Sequence, residues 1–227
     1  MLRSVGCFCI LAVGVAASAA AGATVTATMT ADNHYALYTG AENGSSLTLI
    51  GGNELGPGGA PGLYNWSIAE SYAFLTESPF IYLAAWSDDN VAQGMLAEFT
   101  IDGGTLLSGD PAWTVFATGI DKDDGNPYPT LTEMTAQIVL ADATAGWDPV
   151  SVDGYNGVAP WGTIGGISAS ARWMWGVPTR CPDPFHPGYD HDEYLIFRTA
   201  VPEPSSLALL AVGGIVTLRT VRRGRTR

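Results

Sequence analysis

The sequence predicts an all-β protein, an antiparallel sandwich or barrel of short strands. Three observations carry that expectation. Period-2 apolar alternation recurs at residues 24–30, 35–38, 47–50, 72–75, 80–86, 95–101, 113–117, 134–140 and 194–199, and this pattern puts one side of a strand on a core and the other in solvent. Turn chemistry separates the segments: Asp32-Asn33, Glu42-Asn43-Gly44, Pro57-Gly58-Gly59, Ser87-Asp88-Asp89-Asn90, Asp102-Gly103-Gly104 and Asp123-Asp124-Gly125-Asn126. Sustained helical periodicity is hard to find between them.

The strands differ in how they should be covered. Residues 80–86 (Phe80, Ile81, Tyr82, Leu83, Ala84, Ala85, Trp86) are almost continuously apolar, which predicts a central strand buried on both faces. Ala97-Glu98-Phe99-Thr100-Ile101 alternates cleanly, with Ala97, Phe99 and Ile101 expected inward. Residues 141–170 read as a long connection rich in glycine and aromatic side chains, and neither an internal repeat nor a second domain is evident.

The two ends read as sorting elements. Arg3 begins a small basic region, residues 5–17 are uncharged and apolar, and small residues fill 18–23. Ala21-Gly22-Ala23 fits the small-x-small rule, so a secretory signal is expected at 1–23, cut after Ala23; the competing reading is a buried N-terminal helix. Cys7 and Cys9 fall inside this leader. At the other end, Val201-Pro202-Glu203-Pro204 precedes a neutral run of 14 residues, 205–218, and then Arg219, Arg222, Arg223, Arg225 and Arg227. The run is shorter than the roughly 20 residues of a comfortable bilayer span, and snorkelling arginines would extend it. The arginines should stay on the cytoplasmic side.

This tail resembles the PEP-CTERM sorting signal, with Pro202, Glu203 and Pro204 as its motif and Arg222 and Arg223 in its basic end. The resemblance implies a single short transmembrane helix, processing by the membrane protease-transpeptidase exosortase, transient tethering in the inner membrane, and delivery to the surface of an exopolysaccharide-producing Gram-negative-type bacterium. The expected organisation is therefore a leader at 1–23, a β-sandwich at 24–200 and a sorting tail at 201–227.

Removing the ends changes the charge. The whole chain carries a formal −12, but Lys122, Arg172, Arg180 and Arg198 alone remain basic in residues 24–201, against 21 acidic residues, a formal −17. Such a surface repels nucleic acid and anionic lipid. It suits calcium, neutral sugars, or simple solubility outside the cell. Cys181 is the one cysteine left in this body, so no internal disulfide staples it.

A series of signs runs along the body: Ala31-Asp32-Asn33-His34-Tyr35-Ala36-Leu37-Tyr38, then Trp66, Ala69, Glu70 and Tyr72, the strand from Phe80 to Asn90, and Gly94-Met95-Leu96-Ala97-Glu98-Phe99. Trp113-Thr114-Val115, Ala171-Arg172-Trp173-Met174-Trp175-Gly176 and Tyr194-Leu195-Ile196-Phe197-Arg198-Thr199 close the series. In this order they resemble galactose-binding-domain-like β-sandwiches of jelly-roll type. A glycine-rich insertion at 51–62 and the segment 181–193 depart from that pattern. The resemblance implies a binding or structural module and does not choose between them.

Four constellations stand out. Asp121, Asp123, Asp124 and Asn126 surround Gly125 and suit a hard, oxygen-liganded cation such as calcium, or form an acidic surface turn; Asp88-Asp89-Asn90 poses the same choice. Cys181, His186 and His191, five residues apart, offer transition-metal ligands without a standard zinc spacing, or a rigid proline-rich loop. Trp147, Tyr155 and Trp161 in the glycine-rich connection offer rings on which sugars stack, or pack in a core. Catalytic signatures such as Gly-x-Ser-x-Gly or His-Glu-x-x-His are absent from the sequence. The expectation is a non-enzymatic, carbohydrate- or exopolysaccharide-associated module, with a purely structural surface protein and a cryptic glycan-acting hydrolase as alternatives.

Overall fold

The computed structural model describes residues 22–53, 66–87, 92–122, 126–176, 185 and 193–202. Most of the expected leader, Cys181 with His186 and His191, and the tail from Glu203 onward lie outside the described residues. Among those described, the elements run β1 (Ala23–Asp32), β2 (His34–Gly40), β3 (Thr48–Gly52), β4 (Glu70–Thr76), β5 (Phe80–Trp86), β6 (Gly94–Ile101), β7 (Gly104–Leu107), β8 (Thr114–Ala117), α1 (Leu131–Thr144), β9 (Asp148–Pro149), β10 (Ser151–Tyr155), β11 (Arg172–Trp175) and β12 (Leu195–Ala200). The described residues are mostly β, with two antiparallel sheets and one helix. The first sheet has the order β10-β11-β6-β1-β4, with β7 paired beside β6, and the second runs β3-β2-β5-β12-β8-β9.

The two sheets share one core because β1 passes into β2 through the single residue Asn33, and the two strands lie in different sheets. Asn53 clamps this corner: its side-chain oxygen accepts from the Tyr35 amide at 2.8 Å, and its nitrogen donates to the Asn33 carbonyl at 2.5 Å. Alternate residues then face each other between the sheets. Val25, Ala27 and Met29 of β1 and Ala97, Phe99 and Ile101 of β6 meet Leu37 of β2, Ile81, Leu83 and Ala85 of β5, and Leu195 and Phe197 of β12. The inward set expected for residues 97–101 is the one observed.

The other faces explain why alternation fails in places. Strand β5 lies between β2 and β12. Its odd-numbered residues enter the inter-sheet core, and Tyr82, Ala84 and Trp86 enter a second cluster on the outer face of the second sheet. The continuous apolar run thus does mark a central strand covered twice. In β1, Thr24 and Thr26 are exposed, but Thr30 and Asp32 are buried. A third cluster, including Leu96, Trp161, Ile164, Ile167, Ala171 and Trp173, covers that end of the first sheet's outer face.

One expected strand is a helix. Residues 134–140 lie within α1, whose buried residues Met134, Ile138 and Ala141 repeat at helical spacing. A capping box starts it: the Thr130 hydroxyl accepts from the Glu133 amide at 3.2 Å, and the Glu133 carboxylate accepts from the Thr130 amide at 2.6 Å. Ala145 ends it in the left-handed conformation, with φ 51°. Thr130 followed three residues later by Glu133 was the available signal, and the short apolar run masked it. Strands β9 and β10 likewise occupy what reads as an unbroken connection. Among the described residues, no helix is long and apolar enough to cross a membrane.

Candidate functional site

The three aromatic rings with sugar-binding potential lie in three different settings. Trp161 is 3% exposed. It stacks on Trp173 at 4.1 Å between centroids, and its indole nitrogen donates to Asp32 at 2.8 Å. A ring with one face on a tryptophan and its edge on a buried carboxylate is packed as core. The segment around it is organised by Asn156, whose side-chain nitrogen donates to the carbonyls of Ile164 and Ile167 at 3.0 and 2.8 Å and whose oxygen accepts from the Ile164 amide at 2.7 Å.

Trp147 is half-buried against the opposite outer face, in the α1 cluster. Its nitrogen donates to Asp142 at 2.7 Å, and the Arg198 guanidinium covers its ring at 3.9 Å from the centroid. Arg198 also bonds Asp142 at 3.0 Å. These three side chains lock the end of α1 to β12. Tyr155, at the edge of the first sheet, is 61% exposed, with Arg172 at 5.5 Å from its ring. Trp147, Tyr155 and Trp161 therefore do not form a common platform; Tyr155 alone offers an open ring.

The candidate calcium residues are only partly described. Asp121 is exposed and Asn126 half-buried, while Asp123 and Asp124 lie outside the described residues. Between them, Lys122 is buried. Its ammonium donates to the Pro127 carbonyl at 3.2 Å and sits 5.9 Å from the Trp86 ring and 5.6 Å from the Tyr194 ring. The chain's lone lysine thus brings together Pro127, the end of β5 at Trp86, and Tyr194 just before β12. Among the described residues, no group of three or more His, Cys, Asp or Glu side chains is placed to hold a metal.

A polar cluster that the sequence did not announce joins the sheets at their β3–β4 side. The hydroxyls of Tyr35 on β2 and Tyr72 on β4 lie 2.9 Å apart, and both donate to the Glu70 carboxylate. Burial above all holds both phenols well above the usual tyrosine range, and the charge of Glu70 adds to it, for Tyr35 after the neighbouring Tyr72. They remain neutral donors at any physiological pH, and the cluster acts as a cross-sheet tie.

The last described residues complete the setting. Val201 still packs on the inter-sheet core, and its amide donates to the Pro79 carbonyl at 2.8 Å. The fold therefore runs directly into Pro202. Residues 200–223 match the PEP-CTERM protein-sorting motif. That motif marks an exported protein directed to exosortase processing and to the cell surface of a Gram-negative-type bacterium. The match covers the tail and leaves the β body unassigned. No curated protein and no solved structure matches the chain.

Proposed function

We propose that this chain is an exosortase-processed surface or extracellular-matrix protein whose β body is a non-catalytic module held in exopolysaccharide. The observation that carries the reading is the sorting motif set against the last core residue of an otherwise self-contained fold. In this reading the body is a galactose-binding-like jelly-roll sandwich. Transient insertion of the 205–218 run tethers it in the inner membrane before processing. Tyr155 presents an open ring beside Arg172, which supports a sugar-facing role for that edge. In the same reading Asp121, Asp123, Asp124 and Asn126, neighbours of Lys122 in the sequence, serve as calcium ligands.

A second reading, a structural surface protein without a small ligand, is favoured by the packing of Trp161 and the covering of Trp147 by Arg198. A glycan array probed with calcium and with chelator separates the two. Binding lost in Tyr155→Ala supports the first reading, and absence of glycan binding in both conditions sinks it. Calcium dependence of that binding tests the four ligands.

A further inference from the structure

Helix α1 turns an unusual face outward. Met134, Ile138 and Ala141 seat its inner side. On the opposite side Thr132, Ala136, Val139 and Ala143 line up at three- and four-residue spacing, with Leu140 beside them. All five are exposed, Val139 at 51% and Leu140 at 44%. The row bears no charge, although residues 24–201 carry a formal −17. Both carboxylates of the helix are engaged at its flanks, Glu133 in the capping box and Asp142 with Arg198 and Trp147. A surface helix ordinarily turns charge to solvent.

The location of this face says what meets it. Asp142 in the last turn of α1 holds Arg198, and Pro202 follows only four residues later, after Val201 is pinned to Pro79. The apolar run of the tail begins at Ser205, a reach of about 10 Å from Pro202 at full extension. With that run in a bilayer, the body cannot stand away from the headgroups. The uncharged row lies on the helix that Asp142 and Arg198 fasten to β12, four residues before this exit. Anionic lipid would be repelled by the body's charge, whereas a zwitterionic interface accepts an apolar helix face. The same charge opposes stacking of two copies through this face.

We propose that the outer face of α1, centred on Val139 and Leu140, rests on a zwitterionic lipid interface while the tail is inserted. The proposal depends on the sorting-tail reading, so its test reports on both. The full-length chain, with its cysteines replaced by serine, is labelled with an environment-sensitive fluorophore through Val139→Cys, Ala73→Cys or Ala211→Cys. Ala73 is exposed on β4 in the other sheet. Each protein is reconstituted with phosphatidylcholine vesicles containing brominated lipid. Quenching at Ala211 and at Val139, with Ala73 left bright, is the expected result, and Leu140→Asp should restore emission at Val139 without changing Ala211. Quenching at Ala211 with Val139 as bright as Ala73 overturns the proposal and leaves the tail reading standing. A bright label at Ala211 overturns both. Shielding of Val139 without vesicles also overturns it: loss of that shielding on dilution identifies a second copy as the occupant, and persistence on dilution identifies residues 205–218.

Discussion

The outer faces of the two sheets are covered by different means. Over the second sheet lies α1, a regular element with its own start and stop signals and a repeating buried row. Over the first lies the irregular segment 156–171, in which Gly157, Gly162 and Gly166 all take positive φ and one asparagine side chain bonds the backbone of Ile164 and Ile167. Both shield a strand that would otherwise expose apolar side chains. The helix makes its backbone hydrogen bonds internally and distributes its hold over several residues. The loop must borrow its partners and concentrates its hold in Asn156 and Trp161. Irregular cover should therefore fail at a single position, and helical cover should fail by degrees.

Substitutions test that contrast. Trp161→Ala removes the ring between Trp173 and Asp32 and should destabilise the fold by about 3–5 kcal/mol, the range for a buried tryptophan. Urea unfolding followed by far-UV circular dichroism measures it. A loss confined to glycan binding, with stability intact, would return Trp161 to the surface. Asn156→Ala leaves the Ile164 amide and two carbonyls without their side-chain partner and should cost about 2–3 kcal/mol. Hydrogen exchange should then show residues 156–171 opening together while α1 stays protected.

On the helical side, Thr130→Ala breaks the capping box and should cost only about 1 kcal/mol, with exchange rising in the first turn alone. The smallest effect is a pH dependence. Hydrogen bonds from Thr130, its backbone amide first, hold the Glu133 carboxyl below its ordinary range. The folded state thus favours the carboxylate. The resulting stability is present above the ordinary carboxyl range and fades as pH falls through the depressed one. The difference between wild type and Glu133→Gln should shrink steadily on acidification; a gap independent of pH would assign the role of Glu133 to packing.

The same contrast decides what could be read from the residues beforehand. Strands β1, β2, β5, β6 and β12 were visible because they line the shared core, where period-2 or continuous apolar character survives. Helix α1 was hidden because its outer face is apolar too: with Val139 and Leu140 beside Ile138, residues 134–140 lose the polar face that marks a helix. The 156–171 cover carries no period, since its geometry comes from glycine conformations and from Asn156. Trp147, Tyr155 and Trp161 looked alike in the sequence because exposure depends on what crosses over each ring: Arg198 over Trp147, Trp173 against Trp161, and an open edge for Tyr155. The Tyr35–Glu70–Tyr72 tie brings Tyr35 to a pair 35 and 37 residues further along the chain, so spacing gives no sign of it. The tail is the opposite case, because its signal is local and contiguous, and residues 200–223 proved legible as a sorting motif.

The central claim is that a self-contained β body is handed directly to a cleavable sorting tail at Pro202. Intact mass spectrometry of the chain, recovered from outside an exosortase-bearing Gram-negative host, tests it most directly. The mass should lack the arginine cluster ending at Arg227, and Glu203→Ala should leave the uncut chain in the membrane fraction. An exported wild-type chain that retains Arg227 would contradict the account.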